Sequence, residues 1–215
     1  MQRMLLQLSL LMGNKVLLYG ASGHCKVIID SIHLMGDTVE VVFDDNPQKT
    51  NIFGVPVIQA NGHKINKEDL LAISIGNNRV RKTISERISA KFHTVIHPTA
   101  IISKYASIDE GTVIMAGAII NPDSVIGRHS IINTGAIIDH DCHIGDYTHI
   151  SPNASLAGDV VVGEGSHVGI GASIIQGVRI GKWAIIGAGA VILKDVEDYA
   201  VVVGNPGKVI KYTEK

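Results

Sequence analysis

The chain has 215 residues, and its 19 Lys and Arg against 20 Asp and Glu leave a formal charge of -1. That balance excludes a protein built to hold a polyanion such as nucleic acid. Hydrophobic residues make up 46% and aromatic residues only 4%, which suits a narrow aliphatic core; two cysteines, Cys25 and Cys142, are too few for a disulfide framework, so the reducing cytoplasm is the expected compartment.

Residues 1–13 read as a leader or an upstream start, with Met12 an alternative first residue. The Leu-rich run there has no small-x-small cleavage pattern and is too short to span a bilayer, which takes ~20 apolar residues. Beyond it, the sequence predicts a strand over 16–19, a tight loop Gly20-Ala21-Ser22-Gly23-His24, and an amphipathic helix over 26–34. A strand over 39–43 ends in Asp44-Asp45-Asn46-Pro47. A third, over 72–75, runs into Gly76-Asn77-Asn78 and a helix over 79–88, and a fourth is expected over 92–96. Strand–helix alternation of this length predicts a small parallel α/β sheet, Rossmann-like, over 14–97.

From Ile102 to Ile192 every sixth residue is aliphatic without a slip, and four residues after each comes a small or β-branched one, from Ala106 through Cys142 to Ala190. Neither a helix, with period 3.6, nor an ordinary strand, with period 2, produces that phase. A six-residue unit is one flat face plus a corner, and three faces close a triangular coil of eighteen residues. Coils stack at about 4.8 Å, the spacing of strands in a sheet. Residues 98–215 are therefore expected to form a left-handed parallel β-helix of roughly five coils with a carboxy-terminal tail. Glycine follows the aliphatic at Gly127, Gly145, Gly163, Gly169, Gly181 and Gly187, where a positive φ is expected. Ile119, Val125, Ile131 and Ile137 read as outward apolar residues of one outer face, which closed symmetry would bury in a homotrimer.

Candidate chemistry falls in both halves. The loop Gly20-Ala21-Ser22-Gly23 opens a helix whose free N–H groups attract phosphate, but Ser22 stands where a dinucleotide fingerprint has its second glycine. With Asp44, Asp45 and Gly76 at neighbouring strand ends, the rim reads as a nucleotide pocket rather than a standard NAD pocket. In the solenoid, His140 projects outward between Asp139 and Asp141, and a carboxylate on one imidazole nitrogen fixes the tautomer and raises basicity, as a general base needs. His149 and His167, eighteen apart, should stack on successive coils. His140, His143 and His149 lack a compact ligand spacing, so no metal is expected. Cys142 sits in the inward row and reads as core rather than nucleophile.

Five segments, Tyr19-Gly20-Ala21-Ser22-Gly23-His24, Phe43-Asp44-Asp45, Ile75-Gly76-Asn77-Asn78, Asn133-Thr134 with His140-Asp141-Cys142, and Gly204-Asn205-Pro206, together resemble one family across nearly the whole chain. It is that of the nucleotide-amino-sugar N-acetyltransferases of bacillosamine-type pathways, with the sialic acid O-acetyltransferases beside them. The resemblance implies a homotrimer with active sites between neighbouring solenoids and acetyl-CoA as co-substrate. It implies that Ser22, Gly23, His24, Asp44, Asp45 and Gly76 hold the nucleotide of a UDP-sugar. It makes His140 the catalytic base and Asp141 the carboxylate that tunes it. The family pattern has Glu at that place, so Asp139 and Asp146 stay open as alternatives. Asn133 matches a position near the acceptor sugar, and His149, Ile170 and Ala188 match positions that contact acetyl-CoA. Gly158 is the candidate for holding the oxyanion through its backbone N–H. Two rival readings are O-acetylation of a sialic acid hydroxyl and a non-catalytic hexapeptide scaffold.

Overall fold

A computed structural model describes residues 13–213; the leader expected before them lies outside the described residues. The amino-terminal half is a six-stranded sheet in the order β3-β4-β2-β1-β5-β6. Its strands are β1 (Lys15–Tyr19), β2 (Thr38–Asp44), β3 (Asn51–Ile52), β4 (Val55–Gln59), β5 (Leu70–Ile73) and β6 (Lys91–Phe92). All pairs are parallel except the β3–β4 hairpin. Helix α1 (Gly23–Leu34) buries Cys25, Ile28, Ile29 and Ile32, the i, i+3, i+4, i+7 stripe of an amphipathic helix. It stops at Gly36 (φ 87), with the Gly36 N–H on His33 O and the Asp37 N–H on Ile32 O, a Schellman ending. Helix α2 (Asn78–Arg87) is capped by the Asn77 side chain, which accepts from Val80 N, and the face it buries is largely polar: Asn78, Arg81, Ile84 and Ser85.

The carboxy-terminal half is a parallel β-helix with three faces. Face one runs from the rung Val95–Ile96 to Ile185–Ile186 and closes on Ala200–Val203, against which Lys208–Tyr212 pairs antiparallel. Face two runs from Ile101–Ile102 to Val191–Ile192, and face three from Ser107–Ile108 to Arg179–Ile180. Each rung pairs in register with the rung eighteen residues on, as in Ile131↔His149 and His149↔His167. The predicted inward rows fill the prism: Ile114, Ile126, Ile138 and Ile150 alternate with Ala118, Ala136, Cys142 and Ala154 in one buried cluster.

Three expectations change. The strand expected over 92–96 is two: Lys91–Phe92 belongs to the α/β sheet, whereas Val95–Ile96 is the first rung of face one. The glycines after the inward aliphatics do not take positive φ. The left-handed residue comes two places later, as at Gly111, Asp123, His129, Gly135, Asp141 and Tyr147. Gly127, Gly145 and Gly163 are required for another reason: a Cβ on each would lie 2.7 Å or less from atoms of the next coil. Finally, Ile119, Val125, Ile131 and Ile137 share no single face, because a step of six turns one corner. Ile119 and Ile137 lie on face two and Val125 on face three, and Ile131 on face one is fully buried in the cluster that includes Ile28, Ile29 and Ile32 of α1. The α/β half thus rests on face one.

Candidate active site

His140 stands at the corner between faces two and three, in the turn that follows the rung Ile137–Ile138. Its side chain is 60% exposed, and Nδ1 lies 2.7 Å from Asp141 Oδ2. That bond, aided by the charge of Asp139, holds the imidazole above its ordinary titration range. Asp141 reaches back because it occupies the left-handed corner position, φ 61. Asp139 is engaged elsewhere, accepting the His140 backbone N–H at 2.9 Å and the Asn121 amide at 2.8 Å. Asp146 pairs with Arg128 at another corner. Of the three acids considered, Asp141 is the one on the ring. With Nδ1–H assigned to that bond, Nε2 of the neutral ring carries the free lone pair.

One coil further, Gly158 lies under this ring. A Cβ there would fall 2.5 Å from His140 Cε1 and 2.7 Å from Nε2. The corresponding place in other turns is filled by Pro98, Pro122 and Pro152, so the coil has no structural use for an N–H at that position. Ile170 and Ala188, both exposed and eighteen apart, mark the corner between faces one and two. Face two therefore separates them from His140, with Ser155 and Ser173 in its outward column. Cys142 is fully buried with its thiol on Ala157 O, and burial raises its pKa, which is the inert core role expected.

The second constellation lies where the α/β half meets face one. The connections leave β1 towards β2 and β5 towards β6, so the sheet switches direction between β1 and β5, where open α/β sheets bind ligands. Gly20 (φ 112) makes this crevice possible, since a Cβ would come within 2.4 Å of the Ile75 side chain. Ser74 Oγ ties the two loops together by donating to Gly20 O. Ser22 caps α1 without a side-chain bond, and Ser22 and Gly23 are exposed, leaving the helix amino terminus open. Both oxygens of Asp44 are taken by backbone N–H groups, of Ala21 at 2.7 Å and Asn46 at 2.9 Å, so this acid shapes the loop. Asp45 instead joins Tyr19 and Arg87 at the edge of a cavity of about 460 Å³ that Phe43, His63 and Lys64 also line.

Across the crevice, His24 approaches His149, ring centroids 6.4 Å apart, and His149 stacks on His167 at 4.7 Å and 15°. His149 Nε2 lies 3.0 Å from the Asn133 amide. Burial, followed by the neighbouring His167 and Arg81 charges, pushes the His149 pKa down to about 3; burial and Arg81 push His24 down to about 4. The structure thus groups His24, His149 and Asn133 at one junction with the Gly76 turn and leaves His140 apart. It also adds Arg81, which no motif marked, and gives Asn78 of the Gly76-Asn77-Asn78 segment hydrogen bonds to the solenoid and to Arg81. Among the described residues no group of three or more His, Cys, Asp or Glu could hold a metal ion, and no helix is long and apolar enough to cross a membrane.

Comparison with known proteins finds a separate match for each half of the chain. Residues 15–88 match the PglD N-terminal domain, and residues 123–158 and 159–194 match the bacterial transferase hexapeptide (six repeats). UDP-N-acetylbacillosamine N-acetyltransferase of Bacillus subtilis (strain 168) is 45% identical over 105 residues, a match covering 45% of this chain and only 49% of that relative. A histidine mutant of perosamine N-acetyltransferase from Caulobacter crescentus, solved in complex with CoA and GDP-perosamine, superposes with a TM-score of 0.86 at 37% identity, covering 92% of this chain and 97% of that one. The acetyltransferase domain of PglB from Neisseria gonorrhoeae FA1090, in complex with acetyl coenzyme A, gives 0.86 at 36%, covering 92% and 100%. With a PglD N-terminal domain match, hexapeptide matches after it, and near-complete coverage of solved relatives above 30% identity, the chain belongs to the family of these sugar N-acetyltransferases.

Proposed function

We propose that this chain transfers the acetyl group of acetyl-CoA to the amino group of a UDP-linked amino sugar, with His140 as general base. The observation that carries the reading is the seat of that histidine: Nδ1 held by Asp141, the ring over Gly158, and Nε2 left for a proton. The amine attacks the thioester carbonyl as His140 Nε2 takes its proton. The Gly158 N–H holds the developing oxyanion. Collapse breaks the C–S bond, and the proton returns from His140 to the departing CoA sulfur. No covalent enzyme intermediate is needed. Ile170 and Ala188 border the acetyl-CoA path along face two, and Ser22, Gly23, His24 and Gly76 hold the nucleotide part of the acceptor.

This division of labour needs more than one copy. The nucleotide crevice opens on face one, whereas His140 occupies the vertex of the triangular section opposite that face. A neighbouring copy must present its vertex to the crevice of the first, a heterologous contact that closes as a ring, and three is the number the family resemblance implies. The test is thiol release from acetyl-CoA with UDP-, GDP- and CMP-linked amino sugars and with free sialic acid. Turnover with a UDP-linked amine is expected. Turnover only with sialic acid, or with none of them, would overturn the reading, and preference for a GDP-linked amine would revise the nucleotide alone.

A further inference from the structure

Arg81 is 1% exposed, yet no carboxylate is bonded to it among the described residues. A buried guanidinium without an anion is costly unless its N–H groups are satisfied, and here they end almost wholly on backbone carbonyls. Nε donates to His129 O at 2.7 Å, and Nη2 donates to Tyr147 O at 2.9 Å and Thr148 O at 3.0 Å. Nη1 donates to Ile75 O at 3.0 Å and Gly76 O at 3.2 Å, in the turn that lines the nucleotide crevice. Nη2 also meets Asn78 Oδ1 at 2.8 Å, and the Asn78 amide continues to Gly165 O at 3.0 Å. His129, Tyr147 and Gly165 are eighteen apart, one per coil at the same corner.

We infer that Arg81, seconded by Asn78, is a positioning residue that pins the Gly76 turn of the nucleotide half to the three consecutive coils flanking His149. The physical need follows from the repeat. Stacked coils present nearly the same outer surface every ~4.8 Å, so apolar contact alone fixes the height of the α/β half weakly. A rigid fork that must meet its carbonyls fixes the height within one coil repeat strongly, because a partial shift leaves buried donors unpaired. The fixed charge has a second effect, since it depresses the proton affinity of His24, His149 and His167 around the crevice.

This inference rests on the proposed nucleotide-sugar reading, and its experiment separates the two. Arg81→Lys keeps the charge but loses the fork, Arg81→Met loses both, and Asn78→Ala removes the link to Gly165 and one acceptor of Arg81 while leaving the guanidinium on its carbonyls. For each variant that remains folded and assembled by circular dichroism and light scattering, KM for the nucleotide sugar and for acetyl-CoA is measured. A misplacement of the crevice should raise the first by about 10- to 100-fold and leave the second within about twofold. Histidine NMR titration provides an arm independent of any substrate. In the unaltered protein His24 and His149 should stay neutral to about pH 4, and in Arg81→Met their midpoints should rise. Folded Arg81→Lys and Asn78→Ala variants with unchanged nucleotide-sugar KM, or equal losses for both substrates, would overturn the positioning role. So would histidines that titrate near 6.5 in the unaltered protein. Absence of turnover with every nucleotide sugar would instead defeat the functional reading and leave the titration to decide this one.

Discussion

The His140 imidazole occupies the space that a side chain on Gly158 would take, one coil further along the solenoid. The base is thus seated on bare backbone, and the absence of a Cβ at 158 is part of the site. Gly158 does not have positive φ, so alanine is compatible with the backbone there. Gly158→Ala should therefore fold and melt close to the parent, while its methyl, 2.5 Å from Cε1, pushes the exposed ring aside. A fall in kcat of roughly 10²-fold is expected, in line with the cost of misplacing a reacting group by ~1 Å. Kinetics and thermal melts on the same preparation decide it; unchanged kcat would dissolve the link between seat and chemistry.

His140→Ala should lower kcat by roughly 10²–10⁴, the usual loss of a general base, with KM for acetyl-CoA little changed. Asp141→Asn should cost less, because asparagine tolerates the left-handed backbone at 141 and keeps a hydrogen-bonding side chain. Its informative readout is pH. Asp141 holds the His140 pKa above 6.5, so activity should rise with pH as the base loses its proton, and removing the carboxylate should move that rise to lower pH. A rise that stays in place in Asp141→Asn assigns the titration to the substrate amine or another group.

Assembly gives a third expectation. Ile101, Ile119 and Ile137 form one column on face two, with Ile101 64% and Ile137 38% exposed, between the His140 corner and the corner of Ile170 and Ala188. Light scattering should show a trimer for the parent. A charge in that column, Ile137→Glu, should weaken assembly and remove activity together while circular dichroism stays parental. A monomeric parent with full activity would exclude a site shared between copies.

The histidines at the junction predict acid lability. His24 and His149 have folded pKa values of about 4 and about 3 against an ordinary 6.5. Below about pH 6.5 the unfolded chain takes up protons that the native junction refuses, so stability falls as pH drops towards 4. The melting temperature should decline across that window, and a flat profile would contradict buried neutral imidazoles.

Much of this was legible because the solenoid is coded locally. A residue's place in the hexad says whether it points in or out, so the buried row through Cys142, the outward His140 and the stack of His149 on His167 all followed from counting. Contacts between halves were not coded that way. Ile131 has the pattern of an exposed residue, and only the docking of α1 buries it. Arg81 sits in a helix of mostly polar residues and reads as a solvated charge until the coils beneath it are known. The β3–β4 hairpin escaped because its turn places Phe53 at φ 51 ahead of Gly54, where an Asn-Gly signal would be sought. The corner glycines were noticed for the wrong property: close approach of the next coil, rather than backbone freedom, excludes a side chain at Gly127 and Gly145.

The hexad also sets which changes of length the protein can survive. Six residues inserted between Asn133 and His140 would preserve every inward row, yet carry the histidine, with Gly158 still eighteen residues on, round to the next vertex and part Tyr147 from the corner of His129 that Arg81 also holds. Eighteen residues inserted beyond Ile186 would lengthen the prism and move the carboxy-terminal strands outward, leaving the His140 vertex and the Arg81 anchorage in place. Among such insertions and deletions, folding therefore accepts multiples of six, whereas chemistry accepts only whole turns of eighteen placed away from the junction.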